Sequence, residues 1–302
     1  MTQSLTQVAL FLFIIILAQI LKRIGLFTEK EGSTLSSISL NITLPAAIVA
    51  SFNTFTMDYS LLVLVAYGIG ANILLASLSY LFMCKQSNSL KAYALLSGST
   101  YNVGNFSFPF IQSLFGAQAL VAASLFDLGN ALMTTGLTYS LASSVSQGKR
   151  PETTDIIKKL FTSVPFITYL VMITFSFAHI RLPLFLQDWM VAIGKANPII
   201  AMLMIGIMLD IHFEKSWIKY TLGLLTIRYG MGILMAWYFI VHTDFNQIIK
   251  TTLVFVVFSP SATSSVAFLE KLTDEKKLAS FTSSLSVLAS IASFTILSLL
   301  VT

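Results

Sequence analysis

The chain has 302 residues, 56% of them hydrophobic and only 10% charged, with a mean hydropathy of +0.83. A soluble domain carries about 25% charged residues, so the composition excludes a water-soluble enzyme or a nucleic-acid-binding protein and points to an integral membrane protein with little mass outside the bilayer. The net charge of +5 is then loop basicity, and the lone Cys84 excludes an internal disulfide.

A membrane-crossing helix needs about 20 mostly apolar residues. That window predicts an all-α polytopic protein with ten spans, at 5–22, 33–53, 60–83, 92–114, 117–142, 160–179, 187–209, 217–240, 250–269 and 278–301. Met1-Thr2-Gln3-Ser4 lacks the basic start of a secretory leader, so the first stretch is expected to stay as a span. The polar stretch 143–159 (SSVSQGKRPETTDIIKK) follows span five. It divides the chain into a first repeat (1–145), a cytoplasmic linker (146–159) and a second repeat (160–302). Loops after the odd-numbered spans hold 14 of the 18 Lys and Arg residues. Positive charge stays cytoplasmic, which places both termini outside. His179, His212 and His242 all fall near span ends.

Five spans on each side of the linker run in opposite senses, which permits an inverted repeat. Span two carries Asn41-Ile42-Thr43-Leu44-Pro45, and span seven carries Lys195-Ala196-Asn197-Pro198 at the same place in its half. The fourth span of each half is interrupted. Span four breaks at Asn102-Val103-Gly104-Asn105, with Pro109 just beyond; span nine breaks at Ser259-Pro260-Ser261-Ala262-Thr263. Irregular backbone at mid-depth is tolerated only where it is buried in protein or lines a cavity. A matched pair of such spans points to the binding site of a secondary transporter. Each second half-helix would start near mid-membrane with unpaired N–H groups and about half a positive charge, a cradle for an anionic guest.

Three ionisable groups sit deep. At 1.5 Å per residue, Asp127 lies roughly 15 Å into span five, Arg228 roughly 16 Å into span eight and Lys195 roughly 13 Å into span seven. A charge at mid-bilayer costs at least about 2.5 kcal/mol. Asp127 and Arg228, similar in depth and opposite in sign, suit an ion pair; alternatively Arg228 or Lys195 attracts a substrate carboxylate and Asp127 accepts a proton. Asn130, one turn from Asp127, extends a polar patch toward the breaks. Asn41 and Asn197 offer hydrogen bonds from the other side. No Walker A, HExxH, CxxC or GxGxxG pattern occurs, so neither catalysis, a cofactor nor a metal is expected.

Four segments resemble the auxin efflux carrier family, in the same order along nearly the whole chain. They are Leu44-Pro45-Ala46-Ala47-Ile48-Val49-Ala50-Ser51-Phe52, Asn102-Val103-Gly104-Asn105-Phe106-Ser107-Phe108-Pro109, Phe126-Asp127-Leu128-Gly129-Asn130 and Ser259-Pro260-Ser261-Ala262-Thr263-Ser264. Ser107 stands where that family has a glycine, and Asn105 where it has an apolar residue. The resemblance implies a fold of the bile acid/arsenite/riboflavin transporter type. Spans one, two, six and seven would form a dimerising scaffold, and spans three to five and eight to ten a bundle that moves like an elevator. It implies organic-anion cargo such as auxin, malate or malonate. The short linker is like that of the bacterial members, which implies a bacterial plasma membrane. The cargo carboxylate would sit on Asn102, Gly104, Asn105 and the Ser261–Thr263 segment, with Ile48 closing the scaffold side. A sodium-coupled bile-acid-like symporter is the alternative, disfavoured by the lack of an acid cluster; an anion channel or a membrane-embedded ligand sensor is the alternative from another class.

Overall fold

The computed structural model describes residues 2–209 and 214–301; His212 lies outside them. Among the described residues the regular elements are all helices, apart from an isolated antiparallel bridge between Tyr101 and Ser261. Helix α1 (Thr2–Arg23) ends on Lys22 and Arg23, cations that suit a helix C-terminus. Helix α2 (Glu29–Thr54) starts at a capping box: Thr28 Oγ1 accepts from the Lys30 N–H, and the Glu31 carboxylate accepts from the Thr28 N–H at 2.7 Å. Just before Pro45 the helix widens to a π turn over Ser39–Thr43, which accommodates the proline ring and its missing donor without a break.

Then come α3 (Tyr59–Phe82) and α4 (Asn88–Ser99). The stretch Val103–Gln147 is helical except at Gly116, whose φ of 76° is open to glycine and strained for other residues. The chain turns back there, because Asn130 bonds the backbone of Tyr101. This stretch is therefore two helices, α5 (103–115) and α6 (117–147). A short helix α7 (Thr153–Phe161) meets α8 (Val164–Phe177) at a 75° bend. Span six thus begins at Pro165's turn, not at residue 160, and its 14 residues cover only about 21 Å. Helix α9 (Leu184–Met208) is jointed at Lys195 and Ala196, and α10 (Lys215–His242) is continuous. Last are α11 (Gln247–Val257), α12 (Thr263–Leu272) and α13 (Lys276–Val301). Among the described residues seven stretches, with Val103–Gln147 counted as one, are long and apolar enough to cross a membrane, or eight with the bent α7–α8 pair counted as one. The chain is an all-helical, polytopic membrane protein.

Close backbone approaches fix the frame. Where α3 crosses α6, a Cβ on Gly68 would strike the Phe126 carbonyl, and one on Gly129 the Val65 carbonyl. Small residues are what let membrane helices meet this closely, and the crossing sets Asp127 and Asn130 in place. Helix α9 likewise lies on α1 through Gly206 and on α2 through Gly194. At the linker end of the molecule, Gln147 donates to the Lys271 carbonyl (3.1 Å) and Lys22 to the Leu209 carbonyl (3.4 Å). At the opposite end, Arg181 closes the C-terminus of α2 by donating to the carbonyls of Phe52 and Asn53. Between that end and the breaks, Phe11, Phe106, Phe110, Phe115, Phe255 and Phe294 form one continuous cluster with ring centroids 4.9–5.5 Å apart.

Candidate functional site

Both interrupted stretches open into extended backbone and cross. Helix α4 stops at Ser99, Thr100 is extended, and Asn102 leads into a π turn over Val103–Ser107. The break therefore starts two residues before the 102–105 interval expected from sequence. Pro109 falls in the first turn of the regular helix, where a missing N–H is tolerated. Helix α11 stops at Val257, and α12 starts at Thr263 behind Ala262. The strands between them pair: the Asn102 N–H donates to the Pro260 carbonyl at 2.9 Å beside the Tyr101–Ser261 bridge.

Each break leaves orphan carbonyls on one half-helix and orphan N–H groups on the next. The carbonyls are satisfied almost one by one. The Thr100 and Ser265 hydroxyls lie 2.6 Å apart and both within reach of the Leu96 carbonyl (2.8 and 3.0 Å), so one donates to that carbonyl and the other to its neighbour, and the Ser261 hydroxyl donates to the Ser97 carbonyl. The Ser290 hydroxyl donates to the Phe258 carbonyl at 2.7 Å. Ser259 spends its only hydroxyl hydrogen on Val256, so Ser107 must be the donor in the 2.5 Å Ser107–Ser259 contact. The unusual Ser107 thus ties the two breaks together. Arg228, 1% exposed, supplies the remaining donors: Nη1 to Gly98 (3.1 Å), Nη2 to Thr100 (2.8 Å) and Pro260 (2.9 Å), and Nε and Nη2 to Ser259 (both 3.0 Å).

The amide ends differ. Neither Asn102 nor Ala262, which precede the second half-helices, makes a side-chain cap. Both ends open into one cavity of about 220 Å³, lined by Asn102, Val103, Gly104 and Asn105 from the first break and Ala262, Thr263 and Ser264 from the second. Asn105 is buried, and its Oδ1 has no hydrogen-bond partner. Gly104 faces Leu44 and the Asp127 carboxylate, so its missing side chain keeps the space open. The far wall consists of Leu40 and Leu44 of α2, Ser163, and Pro165, Phe166 and Tyr169 of α8. The cavity reaches Thr134, Thr135 and Ser163 toward the linker end and stops short of the phenylalanine cluster.

Asn130 works as a brace. Its Oδ1 accepts from the Tyr101 N–H (3.0 Å) while its Nδ2 donates to the Tyr101 carbonyl (2.9 Å) and to Asp127 Oδ1 (2.7 Å). The other Asp127 oxygen accepts from the Tyr169 hydroxyl at 2.8 Å. The Asp127–Arg228 ion pair suggested by sequence does not form, since carbonyls surround Arg228 and Tyr101 stacks over its guanidinium at 4.5 Å.

Several expected site residues stand elsewhere. Ile48 is fully buried in the apolar core beside the cavity, and Leu44, one turn earlier, takes its place on the wall. Lys195 is exposed at the joint of α9, away from the breaks. Asn41 bonds its own helix at Ser37, and Asn197 accepts from Ser39 and Thr43 of α2. Pro109, Ser259, Pro260 and Ser261 shape the breaks without lining the cavity. Leu44 stood in two singled-out segments without a role of its own, and Leu40 and Tyr169 carried no sequence signal; an apolar residue or tyrosine in an apolar span looks like any other until the packing is known.

No protein-family model matches the chain. It is 26% identical over 233 residues to an uncharacterized transporter of Methanothermobacter thermautotrophicus, covering 74% of this chain and 73% of that protein. The similarity supports a membrane transporter. The relative's name describes transport, not catalysis, and specifies no cargo.

Proposed function

We propose that the chain is a secondary carrier of small organic anions, in which the cargo carboxylate is held between the first turns of α5 and α12. The observation that carries this reading is the contrast at the crossing: Arg228 and nearby hydroxyls close the carbonyl ends, while the two amide ends carry no side-chain cap and open into one cavity. Converging helix N-termini favour an anion without a formal positive charge. In this reading α4 with α5, and α11 with α12, are two broken spans among ten, related as an inverted repeat. Spans one, two, six and seven form the fixed, dimerising scaffold. The rest form the moving bundle, and Asp127 bonded to Tyr169 bridges the two parts. With the basic linker in the cytoplasm and both termini outside, the cavity faces inward and the phenylalanine cluster seals the outer side. That seal speaks for a carrier rather than a channel.

Counterflow in liposomes tests the reading. Vesicles loaded with malonate, malate or indole-3-acetate should take up the labelled compound saturably for at least one of the three. Asn102→Ala should lower uptake by at least about tenfold, equal to about 1.4 kcal/mol, while the melting temperature stays within about 2 °C. Unchanged uptake by that variant would refute the assignment of the site.

A further inference from the structure

Arg228 is a fully buried cation with no carboxylate against it among the described residues. Asp127, the acid that lines the cavity, is taken by Asn130 and Tyr169. What the guanidinium meets instead is four carbonyl oxygens, of Gly98, Thr100, Ser259 and Pro260, two from each break. A helix C-terminus carries about half a negative charge. Two of them converging therefore present about one negative charge, which a single cation balances. Carriers built on broken helices use such carbonyl ends to coordinate a sodium ion. Here a side chain already fills them. Its charge is permanent and its planar fork can serve several oxygens at once. None of the four carbonyl-bearing residues lines a described cavity, and the Tyr101 ring stands between the guanidinium and the anion cavity.

We propose that Arg228 is a tethered counter-cation: it stands where an alkali co-ion would be needed to hold the two half-helix C-termini together, and the protein therefore works without a bound sodium ion. The role is positional, since Arg228 does not reach the cavity that receives the cargo. The proposal rests on the carrier reading only for what it says about coupling; the binding claim concerns the carbonyl ends alone.

The test needs no carboxylate. The purified full-length chain is melted in NaCl, KCl and choline chloride at equal ionic strength, as wild type, Arg228→Ala and Arg228→Lys. The wild-type midpoints should coincide across the three salts. Arg228→Ala should melt roughly 5–10 °C lower and recover part of that loss with millimolar guanidinium or methylguanidinium but not with choline. A merely structural arginine would show no such cation specificity. Arg228→Lys, which keeps the charge and loses the fork, should lie between. A saturable, sodium-specific rise in the wild-type midpoint, or an Arg228→Ala protein that melts with the wild type, overturns the proposal. Should Arg228→Ala fail to fold, the wild-type salt series and Arg228→Lys decide it alone. Loss of malonate, malate and indole-3-acetate counterflow with the salt behaviour intact would sink the carrier reading and leave this proposal standing.

Discussion

The two kinds of helix end at the crossing have had opposite fates. The carbonyl ends of α4 and α11 are closed by Arg228, by the Thr100–Ser265 hydroxyl pair and by the hydroxyls of Ser261 and Ser290. The amide ends of α5 and α12 carry no side-chain cap and face open space. A buried polar group left unpaired costs about 1–3 kcal/mol, so the asymmetry costs stability. The uncapped amide ends are the ones that share a cavity. One side of the crossing holds the breaks together, and the other leaves donors free for a guest.

Substitutions should therefore divide into those that lower stability and those that lower uptake. The largest effect is expected from Asn130→Ala, which strips the brace from both backbone groups of Tyr101 and from Asp127. It should cost about 2–4 kcal/mol, read as a fall in the unfolding midpoint, with loss of folded protein as the cause of lost uptake. Normal melting would mean that the break does not depend on this brace. Next is Asp127→Asn, which keeps a polar group between Asn130 and Tyr169 and removes the negative charge from the cavity wall. Ionised Asp127 opposes a carboxylate bound nearby and protonated Asp127 does not. Wild-type affinity for a probe of constant charge, such as an alkyl sulfonate, should rise about tenfold as the medium is acidified, about 1.4 kcal/mol. The variant should bind tightly at every pH. A slope that survives in Asp127→Asn would move the titrating group elsewhere. The smallest effect belongs to Gly104→Ala. Its added methyl would sit 3.4 Å from Leu44 Cδ2 and 3.8 Å from Asp127 Oδ2, ordinary contacts that fill the cavity without strain. Cargo affinity should fall a few-fold, roughly 0.5–1 kcal/mol, with the melting point unchanged; a large melting shift would show that the glycine serves the backbone instead.

Sequence carried the breaks but not what closes them. Clusters such as Asn102-Val103-Gly104-Asn105 and Ser259-Pro260-Ser261 announce themselves because glycine, proline and small polar residues disrupt a membrane helix whatever surrounds them. Helix limits followed from the same logic, and the turn at Gly116 fell between spans four and five as their hydropathy placed it. The entry of α8 did not, because the segment around Lys158 and Lys159 forms α7 and meets α8 at 75° rather than extending it. Arg228 was visible as a deep cation, but its partners are backbone carbonyls, which no residue type advertises, and the nearest visible anion suggested the wrong mate. Leu44 displaced Ile48 on the cavity wall because the π turn before Pro45 and the packing of α2 decide which face turns inward.

The central claim is that the unclosed amide ends recognise a negative charge. The most direct measurement is the shift in melting temperature of the purified chain with malonate, malate and indole-3-acetate, each set against its neutral amide counterpart, in wild type and in Asn105→Ala. The account predicts a saturable rise with at least one carboxylate, none with its amide, and a loss of that rise in Asn105→Ala at unchanged intrinsic stability. Equal stabilisation by carboxylate and amide, or a full response in Asn105→Ala, would contradict it.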